Sequence, residues 1–256
     1  MAPDIAEWLA NNVDWQSWTA GGKYLAGGIA MGFGAIGAGV GEGYNAGEAV
    51  NAISRQPAVG GELVRTMLVG QAIAETSGIF ALVIAFILIF SSPVPSMEVI
   101  GASLGAGLAM GLGALGSGVG AGIAGGQAAA GIGRNPRARG SVTITMLLGQ
   151  ALTTSPAVFS LVVAVILAFA QQGNKYLGSN VCVAVSALSA GLCVGAGAIG
   201  PGLGTGMAAG GACNGVARNP EANTEITRTM LVGGAVSQST SIYSFVIALI
   251  LILFTR

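Results

Sequence analysis

The sequence predicts an all-α membrane protein of six transmembrane helices arranged as three tandem hairpins. Three observations lead there. The 256 residues are 53% hydrophobic and only 8% charged, where a soluble domain carries about a quarter charged residues. Six apolar runs are long enough to cross a bilayer, which takes ~20 residues. A single pattern recurs three times with almost no gaps.

The six spans fall at about 24–53, 62–90, 98–133, 141–170, 177–217 and 224–254. The odd spans hold most of the 44 glycines. Small residues let membrane helices approach closely, so these spans are expected to form a close-packed inner layer. The even spans end in β-branched and Leu-rich runs such as "FALVIAFILIF" (80–90) and "FVIALILILF" (245–254). Three polar connections, "SRQP" (54–57), "GRNP" (133–136) and "ARNP" (217–220), mark the hairpin turns. The links between hairpins are short: "SSPVPS" (91–96) and "QQGNK" (171–175). The chain thus divides into an N-terminal segment, 1–22, and hairpins at 23–92, 93–171 and 172–256. Little is left over for a soluble domain.

Seven cationic residues lie beside the hairpin turns: Arg55, Arg65, Arg134, Arg137, Arg139, Arg218 and Arg228. Three lie on the other side: Lys23, Lys175 and Arg256. The positive-inside rule places the turns in the cytoplasm and both termini outside. Residues 1–22 carry Trp8, Trp15 and Trp18 beside Asp4, Glu7 and Asp14, without a basic leader. Tryptophans favour the membrane–water interface, so an interfacial helix on the outer face is expected.

Several functions are disfavoured. The formal net charge is zero, which argues against a nucleic-acid partner. There is no His, the commonest metal ligand and general base. Cys182, Cys193 and Cys213 lack CxxC spacing and read as packing residues. "GFGAIGAGVGEG" (32–43) superficially suggests a nucleotide loop, but no GK[ST] follows, and the pattern recurs as "GLGALGSGVGAG" (111–122). No cofactor is expected, and the chain reads as non-catalytic.

The chemistry concentrates at one depth. Thirteen residues before the turn arginines stand Glu42, Ala121 and Thr205; twenty after them stand Glu75, Thr154 and Gln238. At ~1.5 Å per residue, Glu42 and Glu75 each lie ~20 Å from the turn, on the two arms of one hairpin. An acid at mid-bilayer costs at least ~2.5–3.5 kcal/mol on insertion scales, and is a functional candidate by default. Two facing carboxylates at low dielectric do not both stay ionised without a cation. One is expected to hold a proton while the other binds Na⁺ or a second proton. Thr76 adds a hydroxyl, and hard cations take several oxygen ligands. Glu48, Glu62, Glu98, Glu221 and Glu225 fall near span ends, where solvation is expected.

These residues together resemble the proteolipid c subunit of F-type ATP synthases. The resemblance rests on the Gly-rich first helix, the "RQP/RNP" turns, "MLVGQAIAET" (67–76) and "IYSFVIALILIL" (242–253). It covers all three hairpins. It implies a two-layer c-ring that rotates in a bacterial cytoplasmic membrane, surrounded by lipid, taking Na⁺ or H⁺ from one half-channel of a stator a subunit and releasing it to another. It implies that Arg55, Gln56, Pro57, Arg134, Asn135, Pro136, Arg218, Asn219 and Pro220 seat the central-stalk gamma and epsilon subunits. It also implies a homo-oligomeric ring, with single-hairpin c subunits as further candidate members. In Na⁺-binding members the first helix offers Gln and the second Glu-Ser; here Glu42 takes the Gln position and Glu75-Thr76 matches Glu-Ser. The resemblance adds the Ile73 backbone carbonyl to Glu75, Glu42 and Thr76 as ion ligands, with Na⁺ at Glu75/Glu42 if the motor is sodium-coupled. Family sites are completed by a neighbouring hairpin, so Ser155, Ser239 and Tyr243 are candidates to close this one. Hairpins two and three have no titratable group at that depth and read as spacers. A V/A-type proteolipid, a channel-forming protein and a purely structural membrane oligomer are competing readings.

Overall fold

The computed structural model describes residues 14–170 and 181–254. These form six long helices: α1 (Trp15–Arg55), α2 (Gly60–Phe90), α3 (Met97–Arg134), α4 (Arg139–Ala170), α5 (Val181–Arg218) and α6 (Asn223–Phe254). All six are long and apolar enough to cross a membrane. α1 begins at Trp15 instead of near Tyr24, so Trp15 and Trp18 belong to the first spanning helix. Asp14 caps it, accepting hydrogen bonds from the Ser17 amide at 3.2 Å and the Ser17 hydroxyl at 2.6 Å. Those two bonds hold the Asp14 carboxyl below the ordinary carboxylate range. The interfacial helix expected over the first residues, with Trp8, lies outside the described residues, as does the 171–175 link.

The three turns are built alike. Gln56, Asn135 and Asn219 adopt φ/ψ of −137/70, −136/85 and −135/85. Each precedes a proline, which disfavours helical backbone in the residue before it. Each proline then opens a 3-10 turn that leads into the return helix. The same three-residue chemistry therefore reverses the chain three times.

The helices form two layers. α3 packs between α1 and α5, which gives an inner row α1–α3–α5. α2 rests on α1 and α3, and α4 on α3 and α5. α6 has α5 beneath it and α4 at its side, but no further inner helix. Glycine is required where inner backbones touch. A Cβ at Gly118 would lie 2.7 Å from the Gly37 carbonyl carbon, and one at Gly202 2.7 Å from that of Gly116. The same contact is thus made twice, once per step along the row. Apolar clusters seal the two ends of the bundle. Ile84, Leu88, Met110, Val163 and Leu167 pack at the end away from the turns. Leu63, Ile132, Val142 and Met146 pack near them.

Some span-end groups differ from expectation. Glu98 is only 9% exposed, and Lys23 is buried with its Nζ donating to the Ser91 carbonyl. Helix α1 extends past Lys23 to Thr19, whose hydroxyl donates to the Ser96 carbonyl at 3.4 Å and so ties α1 to the α2–α3 link. Cys213 is buried, as a packing residue would be, but Cys182 is exposed. Glu62 pairs with Arg139 at 2.9 Å across α2 and α4, an exposed bridge worth ~1 kcal/mol or less.

The inner row generates a prediction. Gly118→Ala forces a methyl group into the Gly37 backbone, and overpacking of this kind costs ~1–3 kcal/mol. Thermal denaturation of the detergent-solubilised chain should show a clear loss of stability. Gly61→Ala, which meets no atom within 4 Å, should be neutral or slightly stabilising.

Candidate ion-binding site

Glu42 lies on α1 and is partly exposed; Glu75 lies on α2 and is exposed. The two stand on the facing arms of the first hairpin. One turn before Glu75, Gln71 Nε2 donates to the Glu42 backbone carbonyl at 3.2 Å. Nearer the turn, the buried Asn45 Nδ2 donates to the Met67 carbonyl at 3.1 Å. These two amides pin α1 to α2 and hold the acids at a common depth. Thr76 Oγ1 donates to the Ala72 carbonyl at 3.1 Å. Its proton is thereby committed within the helix while its oxygen can still accept. Ile73 is partly exposed two residues before Glu75.

The equivalent depth in the other hairpins is polar but not titratable. In hairpin two Ala121 is buried, and Thr154 Oγ1 donates to the Ala151 carbonyl at 3.0 Å. In hairpin three Thr205 is buried, with Oγ1 donating to the Pro201 carbonyl at 2.7 Å. Gln238 Nε2 crosses from α6 to the Leu152 carbonyl of α4 at 2.7 Å. That carbonyl is special. Pro156, four residues on, has no N–H to offer it, so the Gln238 amide takes the place of the missing helical bond. α4 runs on through Pro156 as one helix.

Gln150 is a site residue that sequence reading missed. It is fully buried, and its Nε2 donates to the Gly70 carbonyl at 3.0 Å and the Ala121 carbonyl at 2.9 Å. The signal that could have found it is the repeated "GQA" at 70–72 and 149–151, replaced by "GGA" at 233–235. The three other candidates stand apart from Glu75 within one chain. Ser155 Oγ donates to Ala151 at 3.3 Å and Ser239 Oγ to Val236 at 2.8 Å, while Tyr243 is exposed. Among the described residues, no hydrogen bond joins them to Glu75.

The turns gather at one end. Arg55, Gln56, Pro57, Arg218, Asn219 and Pro220 are exposed there. Arg134 is exposed too but bonds the Asn214 side chain, and Asn135 Nδ2 donates to the Ala217 carbonyl at 2.9 Å. The middle turn is therefore partly occupied with tying α3 to α5. Among the described residues, no group of three His, Cys, Asp or Glu side chains is placed to hold a metal.

The architecture defines a class: a membrane protein of tandem two-helix hairpins with a carboxylate pair at mid-depth in one of them. The family of ATP synthase C subunits matches residues 25–88, 104–167 and 188–251, one match per hairpin. The chain belongs to that family. The ATP synthase c subunit of Natranaerobius thermophilus is 46% identical over 85 residues, 33% of this chain and 98% of the relative. That of Alkaliphilus oremlandii is 53% identical over 69 residues, 27% of this chain and 77% of the relative. That of Thermotoga maritima is 48% identical over 68 residues, 27% and 80%. Each relative therefore corresponds to about one hairpin of the three.

Gln238→Leu should leave the Leu152 carbonyl without a donor, at a cost of ~1–3 kcal/mol. Pro156→Ala restores a backbone N–H to that carbonyl. The double variant should therefore lose less stability than the sum of the two single variants. Additive losses in thermal denaturation would show that the two residues act separately.

Proposed function

We propose that this chain is a rotor-ring subunit of a rotary F-type ATP synthase or ATPase, carrying one ion per chain. The observation that supports it is the Glu42/Glu75 pair at one depth, set against Ala121/Thr154 and Thr205/Gln238 in the other hairpins. A carrier that turns through lipid must be electrically neutral there, because a bare charge at mid-bilayer is costly. Facing a polar half-channel, the same site must open and exchange its ion. A carboxylate pair meets both demands: with one proton and one Na⁺, or with two protons, it is neutral; on release it becomes anionic and is attracted to a stator arginine.

Sodium is the preferred cargo. Glu42, Glu75 and Thr76 provide an oxygen-rich site suited to a hard cation, and the Ile73 carbonyl is a further oxygen of the same helix. Protons are the second reading, with Glu42 tuning Glu75. Hairpins two and three act as spacers, so the ring carries one ion per six helices. Fewer ions per turn means more work available per ion when ATP drives rotation, which suits an ATP-driven pump. ATP chemistry belongs to partner subunits. The stator a subunit exchanges the ion, and gamma and epsilon seat on the turns at Arg55, Gln56, Pro57, Arg218, Asn219 and Pro220, with Arg134, Asn135 and Pro136 between them. The turns face the cytoplasm and lipid covers the outer layer.

Glu75→Gln should abolish ion-coupled ATP hydrolysis by the assembled complex while leaving the ring intact. Carbodiimide, which attacks protonated carboxyls in apolar settings, should label Glu75 or Glu42 only. Labelling suppressed by Na⁺ but not by K⁺, read by mass spectrometry, supports the sodium cargo. Response to pH alone supports protons. Retained coupling in Glu75→Gln would overturn the carrier reading.

A further inference from the structure

A chain of side-chain hydrogen bonds crosses the inner row near the turns. The Arg134 guanidinium of α3 donates to Asn214 Oδ1 of α5. Asn214 Nδ2 donates back to Gln127 Oε1 of α3. Gln127 Nε2 donates in turn to the Tyr44 hydroxyl of α1. Each amide accepts at its oxygen and donates at its nitrogen, so the bonds run head to tail and polarise one another. The chain begins on a cation, and a charged donor makes the stronger kind of hydrogen bond. Gly126 leaves room for it, since a Cβ there would lie 2.7 Å from Tyr44 Cε1. Four side chains thus join all three inner helices, and Arg134 is the charged end of the series.

The middle turn is also the most enclosed of the three. Asn135 Nδ2 donates to the Ala217 carbonyl at 2.9 Å. Asn135 and Pro136 are half-buried, whereas Gln56 and Pro57, like Asn219 and Pro220, are exposed. Ala138 is buried, and its equivalents Val59 and Ala222 are half-buried. The first turn differs at the residue that matters. Asn214 stands four residues before Arg218; the same place before Arg134 is held by Ala130. Alanine has no side-chain oxygen, so hairpin two offers Arg55 nothing like the bond that hairpin three offers Arg134. Among the described residues, the Arg55 side chain has no hydrogen bond or ion pair, and neither has Arg137. Both are exposed. The acid that follows Arg55, Glu62, is already taken by Arg139 at 2.9 Å. Turn three is different again: Glu221 occupies the place of Arg137.

We infer that Arg134 is a clamp between hairpins two and three, and that Arg55 and Arg137 are the turn cations that an acidic protein surface meets. This deepens the rotor reading and rests on it for the identity of the partner. Arginines that look alike in the repeat then divide the work. A guanidinium already bonded to an amide must give that bond up before it can meet a carboxylate, whereas Arg55 and Arg137 give up only water. The charges favour the same division. Turns one and two present free cations, while Glu221 beside Arg218 opposes an acidic surface at turn three. Arg134 is thereby withdrawn from the partner contacts, although its place in the turn motif matches that of Arg55.

The test has two arms. The first follows thermal denaturation of the purified, detergent-solubilised protein. Arg134→Ala should lower the midpoint by roughly 2–4 °C, the shift that goes with about one lost bond, and Asn214→Ala by at least as much. Arg134→Ala added to Asn214→Ala should cost nothing further, because the bond it removes is already gone. Additive losses, or no loss in Arg134→Ala, would overturn the clamp. The second arm uses the assembled complex in membranes and reads the salt concentration at which ATP-hydrolysing activity washes off. Arg55→Ala and Arg137→Ala should each lower that concentration, since salt screens exposed charge pairs. Arg134→Ala should leave it where the parent has it. Release of Arg134→Ala at the same salt as Arg55→Ala, or no change in Arg55→Ala and Arg137→Ala, overturns the assignment of the surface. Parent membranes that hold no ATP-hydrolysing activity would remove the rotor reading and its partner together. The first arm needs no partner and still decides the clamp, so the two failures are told apart.

Discussion

Backbone contact between glycine-rich helices is the constraint on which the rest of the structure depends. Where Gly118 meets Gly37 and Gly202 meets Gly116, no side chain separates the helices. Contact at that range has little freedom to slide, since each backbone atom of one helix fits a gap in the other. The inner row therefore shares one register, and the outer helices inherit it through the buried amides. Asn45 and Gln71 fasten α2 to α1, and Gln150 fastens α4 to both α3 and α2. A side chain's depth in the membrane is then set by its count from the turn, which is why Glu42 and Glu75 lie at a common depth.

Within that frame the hairpins differ in how they treat polarity at mid-depth. Hairpin one keeps two acids, Glu42 and Glu75. Hairpins two and three keep uncharged polar groups there, mostly bonded to backbone carbonyls, although the buried Gln150 Oε1 has no hydrogen-bond partner. Thr154 and Thr205 bond back to their own helices, and Gln238 replaces the donor that Pro156 withholds from Leu152. A self-satisfied group has no need of a partner from solution. The second and third hairpins hold no titratable group at that depth, and the first holds two.

The open edges follow the same division. Inside the chain, neighbouring hairpins bury each other's small-residue faces and cover each other's outer helices. At the ends, the same faces are left bare: Gly39 and Gly43 on α1, Val236 and Tyr243 on α6. Bare faces that match contacts already made internally are suited to self-association without any new kind of interface.

Much was determined by the sequence alone. The six spans, three hairpins and identical turns follow from hydropathy, a repeat with almost no gaps, and residues of fixed backbone preference such as Pro57, Pro136 and Pro220. The depth of Glu42 and Glu75 follows too, because a helix converts residue count into distance. Other features required the tertiary structure, since they depend on which helix lies beside which. Counting along one helix does not reveal that Gln238 reaches the carbonyl freed by Pro156, that Gln150 bridges two hairpins, or that Lys23 and Glu98 are covered at a span end. The direction in which Gln150 and Gln238 reach, each to the hairpin before its own, is likewise invisible in three similar repeats.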